Sequence, residues 1–424
     1  MLTLIRSQDE AALARLVKSR QAQEAQTEKT VCRIVEDVRR HGDAALIRLT
    51  HKFDRIDLRR DGFLVTPEEI RQAYQHVSKD FISAVRHAGR NVRTAARRQL
   101  PRAWMGSTSP GVKVGQVVRP IERAACYVPG GRFPLPSTVL MSVIPAQVAG
   151  VSDIVVTSPK PASAVLVTAD MLGIQKIFRL GGAQAIAAFA YGTESVPRAD
   201  KIVGPGNRFV AAAKKLVAGD CSIDFVAGPT ELVVVGAKGR PAWIAADLVA
   251  QAEHDPDACA IFVTPSLKMA LAVQRAAQRL LKRLSLPVAE ASLDGQGIIL
   301  VTRDLEEAVD WANRLAFEHL TLLEDAAPYL ERIRSAGAIF LGSYSAVAAG
   351  DYASGGNHIL PTAGAARLRG GLSAADFVKS ISVQRLSRSG LSGLRRTIVT
   401  LAEAEGLTAH AHSVNTRFAD DPST

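Results

Sequence analysis

The sequence has little of what marks secreted or membrane proteins. Cysteines are few, far apart and without a CxxC pair: Cys32, Cys126, Cys221 and Cys259. A disulfide framework is therefore not expected, which favours a reducing cytoplasm. No apolar run reaches the roughly 18 residues that span a membrane. Asp9 and Glu10 fall where a signal peptide would have its apolar core, so we predict neither a targeting segment nor a membrane partner.

Aromatic residues are also scarce, at 5% of the 424 residues. Ala, Val, Leu and Ile carry most of the hydrophobic fraction of 47%, a bias that suits helices alternating with buried parallel strands. That fraction is ample for buried cores and excludes a wholly disordered chain. At about 150 residues per domain, the length suggests about two to four domains.

Acidic residues are outnumbered by basic ones, 41 to 52, which gives a formal net charge of +11. The densest basic run is RHAGRNVRTAARRQLPR, residues 86–102, and it contains no aromatic residue. We therefore interpret it as a solvated helix face rather than a nucleic-acid-binding face. A basic surface would also attract anionic small molecules such as dinucleotides.

The pattern of apolar residues changes along the chain. Residues 1–80 show helical spacing in segments such as ARLVKSR, and Thr66-Pro67-Glu68-Glu69 predicts a helix start. From about residue 115, β-branched runs (GQVVRP, SDIVVTSP, KIFRLG, KIVGPG, TELVVVG, CAIFVT, GIILVT, GAIFLG) alternate with alanine-rich segments. This alternation predicts helix-covered parallel sheets in two sets that divide near Gly228. Beyond Phe377 the pattern predicts a return to helix.

No histidine lies between His87 and His254. Those that follow sit beside polar residues, in QAEH, FEHL, GGNH and AHAH. Four such clusters in one half of the chain favour a shared site over scattered structural histidines.

Gln251 and His254 are three residues apart, which on a helix puts them on one face. An oxygen and a nitrogen ligand at that spacing suit zinc or a similar divalent metal. The alternative is a C-terminal helix turn with His254 beside the last carbonyls. Glu318 and His319 pair a carboxylate with an imidazole at a predicted helix exit, which suits water activation and proton transfer, or is a plain surface pair.

Glycine-rich segments provide further candidates. Asp351 and His358 lie in GDYASGGNH, where Asp351 is either a metal ligand or an ordinary turn residue. Neither GxGxxG nor GxxxxGK[ST] is present. The available turns are CYVPGG, GGAQAIAA and GPGN, whose backbone N–H groups are suited to phosphate.

Eight motifs, taken in order, resemble the histidinol dehydrogenase family: CYVPGG, GGAQAIAA, GPGN, AGPTE, QAEHDPDA, EHL, GDYASGGNHILPT and LTAHAHSV. The resemblance runs from about residue 30 to about residue 416. It implies oxidation of L-histidinol through the aldehyde to L-histidine, which uses two NAD⁺ per substrate. It also implies one zinc ion per subunit. It also implies an intertwined homodimer of two incomplete Rossmann-like α/β domains with small helical extensions.

The resemblance implies four parts. These are an N-terminal helical extension (1–22), a metal and catalytic domain (23–126 with 231–372), a dinucleotide-binding domain (127–230), and a C-terminal helical extension (373–424). The last of these would reach the partner subunit.

The resemblance also assigns roles to individual residues. The implied zinc ligands are Gln251, His254, Asp351 and His410 of the partner subunit. His319 would take the alcohol proton, and Glu318 would activate the water that hydrates the aldehyde. The implied substrate-binding residues are Thr230, Gln251, His254, His319, Asp351, Glu405 and His410. Tyr127, Gln184 and Asn207 match dinucleotide-contacting positions, and His358 matches a histidine near the site.

Three positions depart from the usual motifs of that family: Phe317 replaces a proline, Thr230 replaces a serine, and His412 replaces a small or amide residue. Phe317 and Thr230 motivate an alternative, a relative that oxidises another small alcohol, such as a sulfonated diol, with the same machinery. His412 offers a second imidazole, but His410 holds the motif position and is the expected ligand. A basic binding protein without activity is disfavoured, because the catalytic and metal positions are all present.

Overall fold

The computed structural model describes residues 2–9, 24–130 and 134–419. The predicted ARLVKSR helix lies outside these ranges. The chain forms two compact units. The first comprises Met1–Gln99 with Ile121–Phe377, and the second comprises Leu100–Pro120 with Val378–Thr424.

The strands are numbered here in chain order. They are β1 Thr3–Arg6, β2 Trp104–Ser109, β3 Val112–Pro120, β4 Arg123–Tyr127, β5 Asp153–Thr157, β6 Ile177–Phe178, β7 Lys201–Val203, β8 Ser222–Ile223, β9 Glu231–Val235, β10 Cys259–Thr264, β11 Ile298–Val301, β12 His319–Leu322, β13 Ala338–Leu341 and β14 Val378–Leu386.

The α-helices are numbered in the same way. They are α1 Glu24–Asp54, α2 Leu58–Asp61, α3 Pro67–Ala73, α4 Lys79–Arg98, α5 Pro136–Ala149, α6 Ser163–Met171, α7 Gly182–Tyr191, α8 Arg208–Val217, α9 Pro241–Ala252, α10 Leu267–Leu284, α11 Pro287–Gln296, α12 Leu305–Leu315, α13 Val347–Tyr352, α14 Arg388–Ala404 and α15 Thr408–Thr416. Short 3₁₀ helices occupy Tyr74–His76, Ala327–Arg332, Ala365–Arg367 and Ala374–Phe377.

The first unit contains a five-stranded parallel sheet of order β6-β5-β4-β7-β8. Side chains alternate across a strand, so Ala125 and Tyr127 enter one core cluster with α1, α7 and α8. Ala124 and Cys126 enter the other cluster, with α3 to α6. Helices α1 to α4 therefore pack on this sheet, whereas the sequence prediction grouped residues 23–126 with the six-stranded sheet.

The first unit also contains a six-stranded parallel sheet of order β1-β11-β10-β9-β12-β13. Its central strands β9 and β10 are buried along their whole length, as strands covered on both faces must be. Helices α9, α10 and α11 pack on one face and α12 on the other. The predicted division into two sets near Gly228 matches the passage from one sheet to the other.

The prediction that residues 1–80 are helical is wrong at Thr3–Arg6. This segment is an edge strand that pairs with Ile298–Val301 in parallel register. Four residues are too few to show a helical or an alternating period. The hydrogen-bond partners are nearly 300 residues away, so only the tertiary fold selects the strand.

The second unit is an antiparallel three-stranded sheet of order β14-β3-β2, with helices α14 and α15. The prediction of helix directly after Phe377 is therefore wrong, because β14 comes first and pairs with β3 from Val378–Pro120 to Leu386–Val112. GQVVRP is a strand as predicted, but it is antiparallel. Gly115 lets β2 approach closely, since a Cβ there would lie 2.0 Å from Trp104 O.

Two local predictions are confirmed. Thr66 caps α3 in a capping box, in which its hydroxyl accepts from Glu69 N at 3.3 Å and the Glu69 carboxylate accepts from Thr66 N at 2.9 Å. The basic run lies mostly on α4, whose buried face is Val85, Ala88, Val92 and Ala96, and Arg86, Arg90 and Arg97 are exposed. Helix α4 therefore has the amphipathic pattern of a helix with one solvated face.

Within the described ranges, no helix is long and apolar enough to cross a membrane.

Candidate active site

The predicted catalytic pair lies at the amino end of β12. Helix α12 ends at Leu315, and Ala316 takes a left-handed conformation (φ 50°) that turns the chain toward the strand. Glu318 and His319 follow, and only 6% and 3% of their surfaces are exposed. The alternative of a surface pair is therefore wrong, because both groups are buried where a charged side chain needs partners.

Glu318 is held by a short polar chain. Its Oε2 accepts a hydrogen bond of 2.5 Å from the Thr230 hydroxyl and one of 2.9 Å from Glu231 N. The Gln251 side-chain nitrogen in turn donates to the Thr230 hydroxyl. This direction leaves the Gln251 amide oxygen as the atom suited to a cation, and both described bonds to Glu318 reach the same carboxylate oxygen.

His319 lies between two carboxylates. Its Nδ1 is 3.1 Å from the main-chain oxygen of Glu231, which can only accept, so Nδ1 carries the proton. Its Nε2 lies 3.5 Å from Asp351 Oδ1, and Nδ1 lies 3.5 Å from Glu318 Oε2. Burial lowers the pKa of His319, but the charges and hydrogen bonds of Glu318 and Asp351 outweigh it and raise the pKa to about 10.

Asp351 lies on the short helix α13, close to three imidazoles. Burial raises its pKa, but the hydrogen bond and charge of His319, together with the charges of His358 and His254, lower the pKa overall. Asp351 thus lies beside His319, and the charge of His254, a second predicted zinc ligand, also acts on its carboxylate.

The prediction that Gln251 and His254 share a helix face is wrong. Helix α9 ends at Ala252 with Glu253 as its cap, so His254 lies beyond the helix. Pro256 also disfavours helical geometry at Asp255, so the helix cannot extend far beyond this point. Gln251 is buried and His254 is exposed, so any ligand they share is bound by a helix end and a loop.

His358 links Asp351 to helix α5, which packs on the five-stranded sheet. Its Nδ1 is 3.0 Å from the main-chain oxygen of Asp351, and its Nε2 is 3.2 Å from the Thr138 hydroxyl on α5. Burial is the main cause of its lowered pKa, against the opposing charge of Asp351. A neutral imidazole with both nitrogens engaged is suited to holding the Asp351 backbone.

The predicted metal ligands in the first unit carry donor atoms of the kinds that zinc binds. Gln251 offers an amide oxygen, His254 an imidazole and Asp351 a carboxylate. Among the described residues, no three His, Cys, Asp or Glu side chains form a metal-binding group. The predicted set contains only two such side chains in the first unit, since its third member there is an amide.

The remaining predicted ligand and substrate residues lie in the second unit. Glu405 caps the C-terminus of α14 and is exposed, and His410 is exposed on α15. His412 lies two residues further along α15, with its Nε2 3.2 Å from the Thr416 hydroxyl. Residues two apart point to different sides of a helix, so His412 does not share the face of His410.

The three predicted dinucleotide residues gather at the carboxyl edge of the five-stranded sheet. Tyr127 ends β4, and its hydroxyl accepts from Gly182 N at 3.1 Å. Burial is the main cause that raises its pKa to about 12. Gln184 is buried on α7 and donates to Asp54 at 3.0 Å. Asn207 caps α8 by accepting from Phe209 N and Val210 N.

Two buried charged positions were not identified in the sequence analysis. Glu231 supplies the main-chain oxygen that fixes the His319 tautomer and the N–H that binds Glu318. Lys214 is buried on α8 between Val210 and Val217, four residues before it and three after. The helical spacing of those two apolar residues was a signal that the lysine faces the core.

Open parallel sheets covered by helices define an α/β fold, and a buried carboxylate beside an imidazole is a candidate pair for acid–base catalysis. The histidinol dehydrogenase family model matches residues 17–418. A histidinol dehydrogenase of Methanothermobacter thermautotrophicus is 48% identical and covers 92% of this chain and 93% of its own. That of Syntrophotalea carbinolica is 46% identical and covers 97% of each chain. The crystal structure of histidinol dehydrogenase from Elizabethkingia anophelis has a TM-score of 0.93, at 36% identity and 98% coverage of both chains.

The chain therefore belongs to the histidinol dehydrogenase family and is an oxidoreductase. The resemblance found in the motifs and the mixed α/β fold class are both confirmed.

Proposed function

We propose that the protein oxidises L-histidinol through L-histidinaldehyde to L-histidine, with NAD⁺ as the hydride acceptor. The observation that carries the proposal is the buried pair of Glu318 and His319 in a chain of this family. The alcohol must lose a proton as its hydride leaves. The aldehyde must be hydrated before a second hydride can leave, so the reaction needs a base for the alcohol and a base for water.

His319 is the proposed base for the alcohol. The bond from Nδ1 to the Glu231 carbonyl leaves Nε2 as the basic nitrogen, on the side of Asp351. The carboxylates of Glu318 and Asp351 raise the pKa of His319. A cation held by Asp351 would offset part of that charge, and Nε2 would then be available to accept a proton near neutral pH.

Glu318 is the proposed base for water. Its Oε2 is occupied by the donors from Thr230 and Glu231, so Oε1 is the oxygen that would hold the attacking water. The distance of 3.5 Å between Glu318 Oε2 and His319 Nδ1 keeps the two bases side by side.

The proposed zinc ligands are Gln251, His254, Asp351 and His410 of the partner subunit. When bound, zinc supplies a Lewis acid that orients the substrate alcohol. Two observations support this set: Gln251 uses its amide nitrogen to bind Thr230, and the charge of His254 acts on the carboxylate of Asp351. The other proposed substrate contacts are Thr230, His319 and Glu405 of the partner subunit.

The proposed dinucleotide site is the crevice between β4 and β7. From β4 the chain adds β5 and β6 on one side and then β7 and β8 on the other. Ligands of open parallel sheets bind at such a switch point, outside the carboxyl ends of the strands. Tyr127, Gln184 and Asn207 are at this edge, which supports residues 127–230 as the dinucleotide-binding domain.

A homodimer belongs to the proposal, because Glu405 and His410 would act from the partner subunit. The second unit exposes apolar side chains that a partner could cover, among them Trp104, Met105, Ile381 and Leu401. Free cysteines support a cytoplasmic location. The proposal includes no nucleic-acid or membrane partner.

Oxidation of another small alcohol, such as a sulfonated diol, is the second candidate. Phe317, which motivated it, is 1% exposed and packs in a core cluster of the six-stranded sheet. This packing gives the side chain a role in the core and weakens the argument from Phe317 for this candidate. The extra methyl group of Thr230 beside Glu318 is the observation that still favours this candidate.

The test is the ratio of NADH formed to L-histidinol consumed by purified, zinc-loaded protein. We expect two NADH per substrate, with histidine as the product. No turnover of histidinol, in protein that binds zinc and NAD⁺, would favour the second candidate, and a panel of small amino and sulfonated alcohols would then identify the substrate.

A further inference from the structure

A buried ion pair lies beside the proposed dinucleotide crevice. Lys214 on α8 contacts Asp224, which follows β8, and their side chains are only 2% and 0% exposed. The neighbouring Lys215 behaves ordinarily, since it is 54% exposed and pairs with Glu28 at 2.7 Å. Buried ion pairs seldom stabilise a fold more than apolar residues of the same volume would. Stability alone therefore does not explain why a charged pair is buried at this position.

Both members of the pair bind the same glycine. Lys214 Nζ donates to Gly204 O at 3.0 Å, and Gly204 N donates to Asp224 Oδ2 at 2.8 Å. Gly204 opens the GPGN loop, residues 204–207, directly after β7. Its N–H and its C=O are thus both fixed by the pair.

Gly204 lies close to the main chain of Tyr127, a proposed dinucleotide-binding residue. Its φ is 116°, and a Cβ there would lie 2.1 Å from the main-chain oxygen of Tyr127. No other residue type fits this approach without strain. The glycine is therefore held at the junction of β4 and β7, where the switch-point crevice opens.

The pair is itself anchored from the other side. Asp224 Oδ1 accepts from Phe225 N at 2.6 Å, and the Asp224 carbonyl accepts from the Arg369 guanidinium. Arg369 pairs with Asp376 at 2.5 Å. This arrangement leaves Asp224 little freedom, so its contact with Gly204 is a rigid one.

We propose that Lys214 and Asp224 are positioning residues that hold the GPGN loop in the shape that receives the phosphate groups of the dinucleotide. The inference rests on the proposed function, since it takes NAD⁺ as the ligand of this crevice. Neither side chain contacts the dinucleotide. They act through Gly204.

The test compares Lys214→Met, Asp224→Asn and the double variant with the control Lys215→Met. KM for NAD⁺, KM for histidinol, kcat and the dissociation constant of NADH are measured, along with thermal unfolding. We expect the single variants to be less stable and to raise KM for NAD⁺ by about tenfold, with KM for histidinol little changed. Lys215→Met should match the wild type.

The double variant separates positioning from stability. Removing both charges should restore much of the lost stability, but Gly204 O still lacks its donor, so KM for NAD⁺ should stay raised. A double variant with wild-type KM for NAD⁺ would overturn the inference.

If the double variant does not fold, hydrogen exchange of the Gly204 amide in the wild type tests the inference instead. We expect protection without NAD⁺, and free exchange would contradict the proposal. If the wild-type protein reduces no NAD⁺, the proposed function is refuted, and so is NAD⁺ as the ligand of this crevice.

Discussion

The hydroxyl of Thr230 tests the proposed water-activating role of Glu318 most directly. It donates to Glu318 Oε2 at 2.5 Å and accepts from Gln251. Thr230→Val keeps the shape of the side chain but removes the hydroxyl. Glu318 then loses one of its two described donors. A hydrogen bond to a charged group contributes about 1.5–3 kcal/mol, which corresponds to about a 10- to 150-fold loss of rate if it orients the base.

The assay follows NADH from L-histidinol and, separately, from L-histidinaldehyde. We expect Thr230→Val to slow oxidation of the aldehyde more than that of the alcohol, since only the aldehyde step needs activated water. Thr230→Ser is the matched control and should stay near wild type, because it keeps the hydroxyl. Equal rates for Thr230→Val and wild type, or a serine variant as slow as the valine variant, would refute the reasoning.

Three further predictions address the bases, the metal and pH. Glu318→Gln should slow aldehyde oxidation far more than alcohol oxidation in the same assay, and equal slowing would contradict its role. His254→Ala should abolish bound zinc, measured by metal analysis, with an unchanged circular dichroism spectrum because His254 is exposed; full metal content would exclude it as a ligand. Burial raises the pKa of Asp247 to about 6. The folded protein thus binds this proton more tightly than the unfolded chain, so the carboxyl costs stability as pH rises through that range. Asp247→Asn should raise the unfolding free energy by about 2–3 kcal/mol at pH 7 and hardly at pH 4, measured by urea denaturation; an equal gain at both pH values would refute this cause.

Much of the local structure follows from sequence because its causes are local. The strand–helix alternation predicted helices between the parallel strands, and α5, α7 to α10 and α12 lie there. The capping box at Thr66 needs only residues within one turn. The motifs containing Glu318, His319 and Asp351 could be found in the same way, because chemistry constrains residue types over a few positions.

Other features depended on distant parts of the chain. Thr3–Arg6 is a strand because β11 offers it an edge, and Val378–Leu386 is a strand because β3 does. Neither partner is visible in the segment itself. His254 lies beyond α9, which ends at Ala252, although the spacing of Gln251 and His254 predicted a shared helix face.

The sequence by itself therefore determined the fold class and most element types, since periodicity and residue type are properties of short segments. It also predicted the residues that are proposed to carry chemistry. Only the tertiary structure decided that Thr230 joins Gln251 to Glu318 and that Glu231 sets the His319 tautomer. Those hydrogen bonds join residues 21 to 88 positions apart. Their geometry exists only once the parallel strands bring β9 beside β12 and α9 packs over them.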